Sequence, residues 1–297
     1  MQQIVPEVGL SADPVHGEGP IWDARNGWLH WVDVTGGVVH TLDLATGRDR
    51  SLVLDQMVGA VALREAGGLA VAGERGFGLL DHDDLVRDGT IDLPLVAEVV
   101  GDPTMRFNDG ECDPSGRFWA GAMAKEATPG RGRVHRLDPD RTSEQVLAGM
   151  TVPNGMSWSD DGATLLLADS ASTSVDLVDV EVATGGVLGR RPHLRLHDGP
   201  GVPDGITTDA EGGTWVAHYA GGEVRRYLSD GRVDRIVELP VSKPTSCCFA
   251  GDDLDQLWIS TTSEELDQDE RRAQPHAGSL FVCEPGVVGR QPFRFAG

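Results

Sequence analysis

Residues 108–124 read NDGECDPSGRFWAGAMA, and the plan of this stretch returns along the whole chain. It joins a short strand pattern to a more apolar one through a turn rich in Asp, Ser and Gly, residues that adopt turn dihedral angles at little cost. Six copies of the plan begin 40 to 50 residues apart, at Gly19, Gly59, Asn108, Asn154, Asp204 and Thr245. Repeats of this length are typical of four-stranded propeller blades. The sequence therefore predicts an all-β protein, a six-bladed β-propeller with four-stranded antiparallel blades, formed as a single domain by residues 1–297.

The two ends of the chain offer strands that could close the ring of blades. Residues 3–8 and 291–295 both alternate in polarity, and a closed ring avoids the aggregation hazard of an unpaired edge strand. We therefore predict that the amino-terminal strand completes the sheet of the last blade. No stretch of a dozen residues combines helical periodicity with caps. Residues 262–272, the best candidate, are nearly all polar and are predicted to form a surface loop.

Composition excludes several classes of function. The 297 residues carry a formal net charge of -22, with a sequence pI of about 4.6, which repels phosphate backbones and anionic lipids. Nucleic acid is therefore not an expected partner. No segment is apolar enough over about 20 residues to cross a bilayer, and the amino terminus has neither the basic leader nor the apolar core of a signal peptide. We expect a cytoplasmic protein without a membrane partner.

Polar residues recur where the innermost strand of a predicted blade begins, beside the central channel. Four of the six copies supply one: Glu18 in HGEGPIWD, Asn108 with Asp109 in RFNDGECD, Asn154 in VPNGMSWS and Asp204 in VPDGITTD. Asn-Gly and Asp-Gly pairs are also ordinary turn formers, but recurrence at one structural position favours a shared site. Carboxylates gathered in a channel repel each other and lose solvation unless a cation neutralises them. We therefore predict one divalent metal ion at the channel mouth.

The side chains predicted to hold this ion offer only oxygen atoms. Oxygen ligands without Cys or His suit Ca²⁺, Mg²⁺ or Mn²⁺ and admit Zn²⁺ less readily, so the identity of the ion stays open. His16 is a candidate neighbour of the ion, although a lone His beside a turn is more often structural. The sequence contains no GxSxG elbow, no GxxxxGK[ST] phosphate loop and no GxGxxG motif after a strand. Serine-hydrolase and nucleotide chemistry are therefore not expected.

Over residues 8–297 the sequence resembles the family of senescence marker protein 30 (regucalcin), gluconolactonases and luciferin-regenerating enzymes. The resemblance rests on motifs that are specific in combination: GEGPIWD, RFNDGECDPSGRFWAG, VPNGMSWSDDG, PDGITTDAEGGTWVA and KPTSCCFAG. It implies a six-bladed propeller with one divalent metal ion bound by Glu18, Asn154 and Asp204. The resemblance thus points to the same positions as the repeat pattern.

The resemblance also implies a substrate and a reaction. Arg106, Asn108 and Glu126 match substrate-binding positions and would hold the hydroxyl groups of a sugar lactone, and Asp204 is implied to be the catalytic base. The metal ion would polarise the carbonyl oxygen as a Lewis acid. A cation lowers the pKa of a carboxylate that ligates it, so either the free oxygen of Asp204 or a hydroxide on the ion would take the proton. The predicted activity is hydrolysis of aldono-1,4- or aldono-1,5-lactones, such as gluconolactone, to aldonic acids.

Two other functions remain compatible with the sequence. The same ion could polarise an ester or phosphoryl oxygen in an arylesterase or phosphotriesterase-like propeller hydrolase, which a hydrophobic channel mouth would favour. The propeller could also be a non-catalytic calcium-binding regulatory protein, since a fold alone does not determine function. A pure scaffold, however, has no need for acids that converge on its axis.

Overall fold

The structure is a computed structural model that describes residues 2–196 and 200–297. Within these residues the strands form six sheets, each with a four-stranded antiparallel core. The innermost strands of neighbouring sheets contact one another in a closed ring. This arrangement is the predicted six-bladed β-propeller. The described residues contain no helix that is long and apolar enough to cross a bilayer.

The first half of the chain forms blades 1 to 3. Two short strands come first, β1 (Gln2–Ile4) and β2 (Glu7–Leu10). Blade 1 has β3 to β6, at Gly17–Asp23, Trp28–Asp33, Val38–Asp43 and Arg48–Leu54. Blade 2 has β7, β8, β9 and β11, with α1 and β10 inserted before β11, in chain order Val58–Leu63, Leu69–Gly73, Gly76–Leu80, His82–Leu85, Gly89–Ile91 and Leu95–Glu98. Blade 3 has β12 to β15, at Met105–Cys112, Phe118–Ala124, Gly132–Leu137 and Ser143–Met150.

The second half of the chain forms blades 4 to 6. Blade 4 has β16 to β19, with a 3₁₀ turn after β17, in chain order Pro153–Trp158, Thr164–Asp169, Ser170–Ser172, Ser174–Glu181 and Gly186–Arg195. Blade 5 has β20 to β23, at Val202–Thr208, Thr214–Tyr219, Glu223–Tyr227 and Val233–Glu238. Blade 6 has β24, β25 and β26, with α2 before β26, in chain order Pro244–Ala250, Gln256–Thr261, Gln268–Ala273 and Leu280–Cys283.

The amino-terminal residues close the ring, as predicted. β2 pairs antiparallel with β26, so it is the fourth strand of blade 6. β1 pairs instead with β23 at the edge of blade 5, in a parallel register. The single strand expected at residues 3–8 is therefore two strands, interrupted before Pro6, whose nitrogen has no hydrogen to donate to a ladder. The segment ties two blades together.

Neighbouring innermost strands approach each other backbone to backbone at the axis. A Cβ atom on Gly155 of β16 would lie 2.4 Å from the carbonyl oxygen of Asp204 in blade 5. A Cβ atom on Gly59 of β7 would lie 2.5 Å from the carbonyl carbon of Phe107 in blade 3. Both distances are too short for non-bonded atoms, so a side chain at either glycine would push two blades apart.

An Asp–Trp pair ties the first hairpin of blades 3 and 5. Asp113 and Asp209 each accept hydrogen bonds from backbone N–H groups of their own turn. Each also accepts the indole N–H of a buried tryptophan, Trp119 at 3.0 Å and Trp215 at 2.8 Å. Asp209 is in addition paired with Arg226 at 2.6 Å, and both side chains are almost completely buried. In these two blades the turn sequence therefore encodes a buried polar anchor.

Residues 291–295 do not form the expected strand. The carboxyl-terminal segment instead crosses the end of the channel where the first and second strands of the blades are connected. Val288 accepts a hydrogen bond from Ala210 in blade 5, and the backbone of Phe295 makes two hydrogen bonds with the turn between β7 and β8 in blade 2. The side chain of Phe295 is completely buried. The segment pairs with turns of different blades, so no continuous ladder forms.

Residues 262–272 were expected to be a surface loop, and that prediction is wrong for residues 268–272, which belong to α2. The carboxylate of Asp267 accepts the N–H groups of Asp269 and Glu270, and the carboxylate of Glu270 accepts the N–H of Asp267 at 2.9 Å. This is a capping box, which satisfies the free donors at the start of a helix. No residue of α2 is buried, so its caps, not an apolar face, favour the helix.

Removal of the Phe295 side chain should destabilise the whole propeller. A fully buried Phe replaced by Ala costs about 3–5 kcal/mol, so the free energy of unfolding of Phe295→Ala, measured by denaturant titration, should fall by that amount. Val288→Ala is the control in the same segment, because Val288 is 46% exposed; it should change stability by less than about 0.5 kcal/mol. Equal losses in the two variants would show that the segment is not packed as described.

Loss of the Asp209 carboxylate should be costly and dependent on pH. Burial alone raises the pKa of Asp209, but hydrogen bonds from Arg226, Gly213 and Trp215 outweigh burial and lower it. Asp209→Ala should reduce the free energy of unfolding by about 3 kcal/mol near neutral pH, because Arg226 loses its buried partner. Since the folded-state pKa is the lower one, this contribution is present above the unfolded pKa of about 3.9 and is lost as the pH falls through the folded-state pKa.

The matched control for this variant is Asp230→Ala. Asp230 pairs with Arg232 at 2.7 Å, but the two side chains are 53% and 75% exposed, so its removal should leave stability almost unchanged. Denaturant titrations of both variants at pH 7 and pH 3 make the comparison. The buried role of Asp209 would be refuted by a loss no larger than that of the control, or by one that does not shrink at pH 3.

Candidate active site

The predicted metal ligands lie at irregularities of the innermost strands. Glu18 in β3, Asn154 in β16 and Asp204 in β20 each stand where the pairing register with the next strand shifts. Asn108 and Asp109 lie at the corresponding shift in β12. A bulge bends a strand and re-aims its side chains. The same irregularity in four blades therefore presents these polar groups to the axis.

Glu18 and Asp204 come together as two buried carboxylates, each 5% exposed. Burial is the main reason that the pKa of Glu18 is raised well above its usual value, and the charges of Asp204 and Asp109 raise it further. Burial and the charge of Asp109 likewise raise the pKa of Asp204. The amide of Asn154 and the guanidinium of Arg106 act in the opposite direction on Asp204. A bound cation would relieve this repulsion.

Asn154 supplies a third oxygen beside the two carboxylates. Its Nδ2 donates a hydrogen bond to Oγ of Ser170 at 3.0 Å, which holds the amide in place. Its Oδ1 is buried and accepts no hydrogen bond within the part of the chain that the structure describes. Buried acceptors are nearly always satisfied, so this oxygen fits a cation. Glu18, Asn154 and Asp204 therefore have the donor chemistry for a divalent ion bound by oxygen.

The donor set contains only two acidic side chains. No group of three or more His, Cys, Asp or Glu side chains in residues 2–196 and 200–297 is arranged to hold a metal ion. The third protein donor here is an amide, so a bound ion would complete its coordination with water or substrate oxygens. Open positions of this kind are what a catalytic ion needs.

Arg106 and Asn108 form a rigid pair next to the carboxylates. Nη1 of Arg106 donates to Oδ1 of Asn108 at 2.7 Å and to the carbonyl oxygen of Phe107 at 2.9 Å. Nδ2 of Asn108 donates to the carbonyl oxygen of Pro153 in the next blade at 3.2 Å. Burial lowers the pKa of Arg106, and nearby acids oppose that effect. The other guanidinium nitrogens make no hydrogen bond to described residues, so they can donate to a substrate.

Glu126 is not part of this cluster. It lies in the turn after β13 and is exposed, and no hydrogen bond or ion pair within the described residues joins it to the other predicted site residues. It follows the end of β13 that pairs with Met105 and Arg106 of β12, so it lies on the same side of blade 3 as the mouth. Its role in substrate binding stays a prediction.

Sequence reasoning missed Glu264 and Ser170. Nδ1 of His16 lies 2.6 Å from the Glu264 carboxylate, and Nζ of Lys243 donates to the Glu264 backbone carbonyl at 2.8 Å. The Glu264 charge is also the largest of those that oppose the burial effect on Arg106. Glu264 lies in the loop after β25, outside the repeated pattern, so periodicity could not find it. Ser170 is the last residue of the LADS motif at residues 167–170 and could have been found from that motif.

The family model described as SMP-30/Gluconolactonase/LRE-like region matches residues 16–263, which include all three predicted metal ligands. The chain is 37% identical over 305 residues to regucalcin from Xenopus laevis, a match that covers 100% of both chains.

Solved structures agree with this match. Regucalcin from Agrobacterium tumefaciens strain C58, described as a calcium-binding protein, has a TM-score of 0.92 at 29% identity and covers 99% of each chain. A luciferin-regenerating enzyme has a TM-score of 0.90 at 26% identity and covers 98% of this chain and 100% of that chain. The resemblance seen in the sequence motifs is thereby confirmed, and the chain belongs to the SMP-30/gluconolactonase/LRE-like family.

Proposed function

We propose that this protein is a metal-dependent hydrolase that opens aldono-1,4- or aldono-1,5-lactones, such as gluconolactone, to aldonic acids. The observation that carries the proposal is the convergence of two buried carboxylates and an unsatisfied amide oxygen beside the guanidinium of Arg106. A scaffold that only binds an ion has no need for the guanidinium. The family description includes gluconolactonases, which supports the same reaction.

Glu18, Asn154 and Asp204 would hold one divalent ion, Ca²⁺, Zn²⁺, Mn²⁺ or Mg²⁺. When bound, the ion would polarise the lactone carbonyl and stabilise the negative charge that develops on its oxygen. The chain contributes rigid placement, because each ligand lies at a bulge of an innermost strand and Ser170 holds the amide of Asn154.

Arg106 and Asn108 would orient the sugar. Arg106 has free guanidinium donors for ring hydroxyl groups, while its Nη1 keeps Asn108 in place. The hydrogen bond from Asn108 to Pro153 fixes this pair relative to the next blade. Glu126, at the exposed edge, would accept a hydrogen bond from a further hydroxyl. Orientation of this kind can supply a large share of the reduction in barrier.

Asp204 would act as the base. It would take a proton from water as the water oxygen bonds to the lactone carbonyl carbon. The ring C–O bond then breaks, and the proton passes to the departing ring oxygen, which becomes a hydroxyl group. Burial raises the pKa of Asp204 and so makes it a stronger base than an exposed aspartate, whereas a ligated cation opposes that effect.

A non-catalytic calcium-binding regulatory role is the second candidate. Oxygen-only donors suit Ca²⁺, and the similar Agrobacterium tumefaciens protein is described as calcium-binding. An arylesterase or phosphotriesterase would be favoured by an apolar mouth, but the mouth here carries Arg106, Glu264 and Lys243. The polar mouth therefore supports a hydroxylated substrate.

Metal removal and restoration separate the two candidates. After its metal is removed with a chelator, the protein should hydrolyse gluconolactone, galactonolactone, arabinolactone or xylonolactone no faster than the uncatalysed background. The rate is measured from the release of protons in a pH-indicator assay. Addition of one of the four ions should restore proton release, because the carbonyl oxygen is polarised only when the ion is bound. Ca²⁺ binding without hydrolysis of any of these lactones, with every ion tested, would reject the lactonase and support the regulatory role.

Two substitutions test the assigned roles. Asp204→Ala should abolish both metal binding, measured by calorimetry, and lactone hydrolysis, since it removes a ligand and the base. Arg106→Ala should keep metal binding and mainly raise KM, by about 10- to 100-fold, which corresponds to the loss of a charge-assisted hydrogen bond. Asp230→Ala, at an exposed position, is the control and should match the wild type. Full activity of Asp204→Ala would refute the mechanism.

A further inference from the structure

A cavity of about 480 Å³ lies deeper in the axial channel than the mouth. All six innermost strands line it, together with the segment 290–293. In β3, β16 and β20 the lining residues come after Glu18, Asn154 and Asp204, and none of these three ligands lines the cavity. The cavity is thus a second compartment of the channel, next to the ligands and toward the carboxyl-terminal segment. Its volume lies in the range of about 300–1,000 Å³ that is usual for small-molecule sites.

Acidic side chains line the cavity, and the described lining has no cationic side chain without a partner. Asp109 and Glu111, both in β12, line it. Asp109 accepts a hydrogen bond only from its neighbour Gly110, at 2.7 Å, and Oε2 of Glu111 is buried without any partner among the described residues. Burial, with a smaller contribution from Asp109, raises the pKa of Glu111. The one cationic side chain in the described lining is Arg290, which is paired with Asp160 at 2.9 Å.

Apolar and aromatic side chains form much of the remaining lining, beside a few hydroxyl groups. Met156, Ile206, Phe249 and Trp158 belong to it, and the indole N–H of Trp158 is also buried without a partner. A calcium ion would need about six to eight oxygen ligands, but two of the lining hydroxyls, those on residues 157 and 208, hydrogen-bond to each other at 3.0 Å. Hydrocarbon and aromatic walls around a carboxylate instead suit an organic cation.

We propose that this cavity binds a small aliphatic diamine. One ammonium group would bind Glu111 and Asp109 through charge-assisted hydrogen bonds. The hydrocarbon chain would pack against Met156, Ile206 and Phe249. The second ammonium group would lie near Asp160, the carboxylate at the far end of the lining.

The diamine can reach the cavity without passing the mouth. Asp160 and Arg290 line the cavity, and their side chains are 74% and 31% exposed, so the cavity meets solvent at this ion pair. The mouth ligands lie at the opposite end of the innermost strands. The proposed site is therefore independent of the lactonase proposal and can be tested without any measurement of hydrolysis.

Calorimetric titration with 1,4-diaminobutane tests the proposal on the whole protein. The wild type should bind one molecule per chain, and Glu111→Gln should weaken binding at least about tenfold, since it removes one charged partner. Glu284→Gln, an exposed position, should bind like the wild type. Thermal unfolding checks that Glu111→Gln is folded.

A neutral analogue makes the test independent of any variant. 1,4-Butanediol has the same chain without charge, and the wild type should not bind it. Equal binding of the diol and the diamine would overturn the proposal, as would diamine binding that Glu111→Gln leaves unchanged. Glu111-dependent binding of Ca²⁺ without binding of the diamine would also overturn it, because the cavity would then take an inorganic ion.

Discussion

Six strands can meet around one axis only where their backbones nearly touch, and this close approach governs the rest of the molecule. A Cβ atom on Gly205 would lie 2.1 Å from Oγ of Ser246 in blade 6, and Gly155 is equally confined by Asp204. Each of these glycines directly follows a predicted ligand, so the bulge that brings the strands together also presents Asn154 and Asp204 to the axis. The constraint that closes the ring therefore also builds the site.

In this arrangement the buried carboxylates at the axis destabilise the fold, and the contacts within and between the blades stabilise it. Glu18 and Asp204 are buried next to each other with raised pKa values, an arrangement that opposes folding unless a cation is bound. The blades are held instead by aromatic contacts between them, such as that of Trp119 with Trp158 at 5.0 Å between ring centroids. These aromatic contacts and the buried Asp–Trp hydrogen bonds of the hairpins stabilise the blades. The residues at the axis can therefore serve binding even though their burial costs stability.

The sequence predicted what is local or repeated and missed what depends on distant partners. The turn residues and the repeat of 40 to 50 residues were enough to predict the blades. The equivalent positions of Glu18, Asn154 and Asp204 within the repeat were enough to predict that these residues lie close together. The path of residues 291–295 depends on turns of several blades, which no local pattern records. Glu264 lies in a loop outside the repeat, so only the folded chain shows that its charge acts on Arg106. The predicted contacts with a substrate and an ion stay predictions.

Asp109 links the two compartments of the channel. Its charge raises the pKa of Glu18 and Asp204 at the mouth and that of Glu111 in the cavity, while burial raises its own pKa to about 6 against the hydrogen bond from Gly110. A cation on either side would favour ionised Asp109, and ionised Asp109 would attract a cation on the other side. Repulsion between the two cations opposes this effect. Any such coupling is reciprocal, so its sign can be measured as the effect of a cation at the mouth on binding in the cavity, or as the reverse effect. Asp109 is the residue through which the coupling would act.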